Sequence, residues 1–153
     1  MTARKETQMA GIVVGIDGSH NASHALEWAM AEAAIREAQL TVLTVNPVAA
    51  SYWTGRPTPL PGDHERVAEI RRSAEEAAAA AAAKLGSSQP ESVTVAAVSG
   101  FPAETLIQAA KDSDMLVVGR RGAGGFASLI LGSVSNQVVH HASCPVVVVP
   151  AGK

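Results

Sequence analysis

Residues 11–33 read GIVVGIDGSHNASHALEWAMAEA, and a change of rhythm inside that stretch decides the fold class. Gly11 to Asp17 is a short apolar run rich in β-branched residues, so it reads as a strand buried on both faces. The run stops at Gly18-Ser19, a turn signal. From Asn21 onward Ala22, Ala25, Leu26, Ala29 and Ala33 recur at helical spacing, which predicts an amphipathic helix reaching about Ala38.

The same alternation continues along the chain. LTVLTVN (40–46) is a second strand, and Pro47 to Asp63, with prolines at 47, 57, 59 and 61, is a long loop. Asp63 is expected to cap the next helix. In that helix Arg71/Glu75 and Arg72/Glu76 stand four apart, and the alanine run 77–83 favours helix to near Gly86. SVTVAAV (92–98) is a third strand, and Pro102 opens a helix over about Ala103 to Lys111. MLVVG (115–119) is a fourth strand, SVSNQVVHH (133–141) a short helix and PVVVV (145–149) a fifth strand. Strict alternation of this kind predicts one α/β domain over 11–150, a parallel sheet with helices on both faces, flanked by tails at 1–10 and 151–153.

Composition narrows the partners. A formal charge of −2 gives no global basic field for nucleic acid or an acidic membrane. Cys144 is the single cysteine, which rules out an internal disulfide, and no Cys/His group has zinc-ligand spacing. The first ten residues are polar and lack the apolar core of a signal peptide, and no apolar run approaches the roughly 20 residues of a membrane helix. The expectation is a soluble, cytoplasmic protein.

Function is concentrated in residues 119–135, GRRGAGGFASLILGSVS. A Walker-type loop would need a lysine followed by Ser or Thr after its last glycine, and none is present. GAGGFA (122–127) fits the dinucleotide pattern G-x-G-x-x-A, but that motif needs an acid roughly 20 residues on. No Asp or Glu follows Asp114. The spacing that remains is Gly119-x2-Gly122-x9-Gly132 with Ser133 directly after, between the end of a strand and the start of a helix. The first amides of a helix have no internal acceptor and carry roughly half a positive charge, so they attract phosphate. The amides of Ser133, Val134 and Ser135, with the Ser133 and Ser135 hydroxyls, are placed to surround phosphate oxygens, and glycine at 132 leaves the approach clear. Arg120 and Arg121 keep the local field favourable to a polyanion.

That glycine pattern, the opening VVGIDGS (13–19), the block FPAETLIQAAKDSDMLVVGRRG (101–122) and the closing CPVVVVP (144–150) together resemble the universal stress protein family, specifically its ATP-binding branch. The resemblance covers about Gly11 to Pro150. It implies five parallel strands in the order 3-2-1-4-5, with ATP or another adenine nucleotide across the ends of strands one and four. It implies Asp17 near ribose and phosphates, the Val45 backbone at the adenine edge, and Val118, Gly119, Arg120, Gly122, Gly132, Ser133, Val134 and Ser135 around ribose and phosphates. Gly15 belongs to the same set and stands where some relatives carry proline, a difference that touches packing more than binding. Arg120 stands where a smaller polar residue is common. Any magnesium would arrive through the phosphates.

The strand order puts Val146, Val147, Val148 and Val149 at an edge, and pairing with the same strand of a second copy would cover it. Asp17 is the one acid expected beside the phosphates, so binding with slow or absent hydrolysis is expected, in a stress-response sensor that signals to a protein partner. Two alternatives compete: an interaction module indifferent to nucleotide, and an adenylating enzyme of the related α/β class, for which Asp17-Gly18-Ser19-His20 would have to hold pyrophosphate. Tyr52 and Trp53 lie in the long loop, as a lid over adenine or a surface anchor, and Phe126, Leu129, Ile130 and Leu131 pin the glycine loop to the fold or a partner. His140 and His141 fit the dipole at a helix end, and Cys144 a small hydrophobe.

Overall fold

A computed structural model describes residues 11–48, 54–56, 58, 60–120 and 131–151. The elements run β1 (Ile12–Ile16), α1 (His20–Arg36), β2 (Gln39–Pro47), α2 (Asp63–Ala83), β3 (Ser92–Gly100), α3 (Pro102–Ala109), β4 (Met115–Gly119), α4 (Ser133–His141) and β5 (Val146–Val149). The strands form one parallel sheet in the order β3-β2-β1-β4-β5, as expected.

Two apolar clusters, one on each face, explain why the central strands read as unbroken apolar runs. Ile12 and Val14 of β1, Leu40 and Val42 of β2 and Met115 and Val117 of β4 pack with Ala25, Leu26, Ala29, Met30 and Ala33 of α1 and Ala78 and Ala81 of α2. The intervening residues Val13, Leu43, Leu116 and Val118 face the other way, onto Ala103 and Leu106 of α3 and Val138 of α4. The alanine run of α2 is thus a packed helix whose buried line is Ala74, Ala78 and Ala81, spaced to return to one face.

Several boundaries differ from the sequence reading. β2 runs on to Pro47 and β3 to Gly100, paired to each other for three residues beyond the last β1 partner, Ile16↔Thr44. Pro47 is tolerated there because β2 has outrun β1. Asp63 is not the cap of α2. Gly62, with φ of 87°, holds that position and turns the chain so that Asp63 falls inside the first turn. Helix α3 has Pro102 in its first turn, as expected, and ends at Ala109.

Candidate functional site

From β1 the chain steps outward to β2 and β3, then crosses back to β4 and out to β5. The reversal lies between the neighbours β1 and β4, and open α/β sheets take ligands beyond the carboxyl ends of strands so placed. Because every strand is parallel, each helix that follows a strand starts at this edge. Among the described residues, the four helices differ in the side chains they place at their amino ends.

At α1 the answer is local. Ser19 caps the helix, its Oγ accepting from the Ala22 amide at 3.2 Å. Just before it Asp17 Oδ1 accepts from the Ser19 amide at 2.9 Å, in a turn that Gly18 completes at φ of 83°. Helices α2 and α3 carry acids in their first turns, Asp63 and Glu65 in the one and Glu104 in the other. Helix α4 has neither device. Its cap is Gly132, extended at φ −72° and ψ 169°, with no side chain to offer and no acid in the first turn. Ser133 is exposed and Val134 half-buried at its mouth.

The start of α4 is held rigidly against the end of β4. The Gly132 amide donates to the Arg120 carbonyl at 2.8 Å, the Arg120 amide donates to the Val149 carbonyl at 2.9 Å, and the Asn136 amide donates to the Gly132 carbonyl at 2.9 Å. The Ser135 hydroxyl, on a residue 3% exposed, donates to the Gly119 carbonyl at 2.5 Å. Of the two expected hydroxyls, Ser133 has the exposed one, while the Ser135 proton is directed at that carbonyl and ties helix to strand. Arg120 is half-buried, and its Nε is buried with no hydrogen-bond partner among the described residues.

The positions of the remaining expected residues follow from the register. Asp17 sits one residue past β1, exposed, at the carboxyl-end edge of the sheet. Val45 begins the β2 overhang, so its backbone edge on the β1 side has no strand partner among the described residues, while its side chain packs toward α3. Val118 is 3% exposed, with its side chain in the core, and has only backbone to present. Gly15 serves packing: a Cβ there would meet Leu106 Cδ2 at 2.7 Å. Gly122, Arg121, Tyr52, Trp53, Phe126, Leu129 and Ile130 lie outside the described residues.

One group was missed from sequence. Asn46, only 3% exposed, donates through Nδ2 to Asp63 Oδ1 at 3.3 Å and to Ser99 Oγ at 3.2 Å. The only signal for it is an asparagine closing an apolar strand. Elsewhere, burial pushes the Cys144 thiol above its ordinary value, with a backbone hydrogen bond from Leu116 opposing. His140 Nδ1 donates to the Asn136 carbonyl at 2.7 Å, which fixes its ring near the end of α4. Among the described residues no cluster of three metal-ligating side chains occurs, and no helix is long and apolar enough to cross a membrane.

The described residues define a doubly wound parallel α/β domain with a glycine-capped helix start beside its switch point. The chain belongs to the universal stress protein family, whose model matches residues 9–150. It is 37% identical over 142 residues to a universal stress protein of Mycolicibacterium smegmatis, covering 91% of this chain and 47% of that one. It thus spans about half the length of the curated relatives it matches. Among solved structures, a universal stress protein UspA from Lactobacillus plantarum superposes with a TM-score of 0.72 at 24% identity, covering 93% of this chain and 98% of that one. A universal stress protein crystallised in complex with cAMP superposes with a TM-score of 0.66 at 26% identity, covering 94% and 98%.

Proposed function

We propose that this chain is an adenine-nucleotide sensor of the ATP-binding branch, with ATP lying across the carboxyl ends of β1 and β4. The observation that carries the reading is the α4 terminus. Its cap is a glycine, its first turn lacks an acid, and it is anchored to β4 by the Gly132 and Ser135 hydrogen bonds. Helix-start amides with no side-chain cap among the described residues are suited to cradle phosphate. Arg120 Nε, without a partner among the described residues, adds a donor that an anion would satisfy. On the other side of the proposed site, the β2 overhang presents backbone that can read the edge of a base. The structural relative in complex with cAMP supports an adenine ligand.

In this reading Gly119, Gly122, Gly132, Ser133 and the amides of Val134 and Ser135 hold the phosphates, Asp17 and Val118 border the ribose, and Val45 meets adenine. Magnesium rides on the phosphates, and hydrolysis stays below about one turnover per second, under the usual enzymatic range. The adenylating alternative loses ground, because the turn after β1 already fills its own amides with Asp17 and Ser19. The edge strand β5, four valines paired only to β4 among the described residues, joins its counterpart in a second copy.

Calorimetric titration tests the core of this. ATP is expected to bind in the micromolar range and adenosine at least about tenfold more weakly, the difference being the phosphate contacts. Equal affinity for the two, or no binding of either, overturns the reading. Sedimentation at micromolar concentration is expected to give a dimer.

A further inference from the structure

We infer that Asn46 is a positioning residue for the base end of this site, clamping the β2 overhang to the first turn of α2. The inference rests on the nucleotide reading above. Beyond Ile16↔Thr44 the strand β2 has lost one neighbour, so Val45, Asn46 and Pro47 have β3 as their only strand partner among the described residues. That is the stretch whose backbone meets adenine. A base edge is discriminated only if the amides and carbonyls reading it stay within a fraction of an ångström of their places.

Asn46 supplies the missing brace. Its Nδ2 protons go to two different elements, one to Asp63 Oδ1 on α2 and one to Ser99 Oγ on β3. The second oxygen of Asp63 accepts from the Leu60 amide at 2.7 Å, and the Asp63 amide returns a bond to the Leu60 carbonyl at 3.2 Å. At the other end of the same connection, the Val48 amide donates to the Gly100 carbonyl at 3.2 Å. Both ends of the chain between β2 and α2 are therefore fastened to the tips of β2 and β3 through this cluster. Side chains alternate along a strand, so Asn46 works on the α2 face while Val45 packs toward α3, and neither side chain lies in the plane of the strand edge on the β1 side. A leucine would fill the same buried volume at less desolvation cost, so what the amide adds is placement.

The test is a polarity exchange. Asn46→Asp sets a carboxylate against Asp63, and the double variant Asn46→Asp with Asp63→Asn restores the bond with its direction reversed, the new amide at position 63 donating to the new carboxylate at position 46. Affinity is measured for ATP and, by competition, for tripolyphosphate, which engages only the α4 end. Asn46→Asp is expected to weaken ATP about tenfold with tripolyphosphate changed less than about twofold, and the double variant to recover ATP to within about threefold of the unsubstituted protein. The inference is overturned by unchanged ATP affinity in Asn46→Asp, by equal losses for both probes, or by a double variant that does not recover. An unsubstituted protein that binds tripolyphosphate but not ATP, or neither, fails at the earlier step and takes the inference with it. Should Asn46→Asp not fold by circular dichroism, Asp63→Asn alone decides. It is expected to lose about threefold for ATP only, and wild-type ATP affinity in it overturns the inference.

Discussion

Two helices begin at the same edge of the sheet, one after each of the two central strands, and they treat their amino ends in opposite ways. At α1 the protein supplies its own acceptors: Ser19 Oγ takes the Ala22 amide and Asp17 takes the Ser19 amide. The partial positive charge there is met by a carboxylate before any ligand arrives. At α4 a glycine caps the helix, and no acid occurs anywhere after Asp114. Similar placement at the sheet edge thus gives a sealed terminus and an open one, and the difference is set by a few side chains. In the proposed reading, the anion site is chosen by which helix start carries no side-chain cap and no acid.

The comparison breaks most visibly if α4 is given the device that α1 has. Gly132 is extended, a backbone conformation any residue adopts, so Gly132→Asp puts a capping carboxylate at this helix start without backbone strain. The new carboxylate fills the amides and repels phosphate. ATP affinity is expected to fall roughly thirty- to a hundredfold, about 2–3 kcal/mol, with adenosine little changed and the melting temperature equal or higher. Binding and stability moving in opposite directions is the signature, and calorimetry with a thermal melt reads both. Next in size is Ser135→Ala, which leaves the Gly119 carbonyl without its hydroxyl donor. It should cost about 1–2 kcal/mol of stability by denaturant titration, and weaken ATP a few-fold because the cradle loses an anchor.

What the chain disclosed by itself follows from the same physics. The central strands were legible because burial on both faces turns them into continuous apolar runs, and α1 and α2 because alanine and leucine return at helical steps. The position of the open terminus was legible too, since Gly132-Ser133 after a strand with no following acid is a local pattern. The overhang of β2 and β3 was not, because register depends on where β1 ends in space and Pro47 looks like a loop from sequence. Asp63 was read as a cap because acids before helices usually are; the left-handed Gly62 moves it one position inward, where it meets Asn46 and Leu60. Asn46 and Ser99 are 53 residues apart in the chain, and the Ser135 proton finds a carbonyl 16 residues back. Contacts of that kind exist only after the sheet has formed.

On the sealed side, the expected effects are smaller and of the other kind. Ser19→Ala removes the cap of α1 and should destabilise the domain by about 1 kcal/mol, with ATP affinity within about twofold, since that terminus holds no phosphate in the proposed site. A large affinity loss with intact folding would move the anion to α1 and revive the adenylating alternative.

The smallest effect isolates the open hydroxyl. Ser133 is exposed and follows the cap, so Ser133→Ala removes no internal bond of the described structure and stability should stay within about 0.5 kcal/mol. If the hydroxyl donates to a phosphate oxygen, ATP weakens by about three- to tenfold while adenosine does not, the worth of one hydrogen bond to a charged group. Ser133 and Ser135 then form a pair with opposite profiles, binding without stability at one and stability with a lesser effect on binding at the other. Matching profiles at the two would mean that the distinction between cradle and anchor, and with it the account of the open terminus, is drawn in the wrong place.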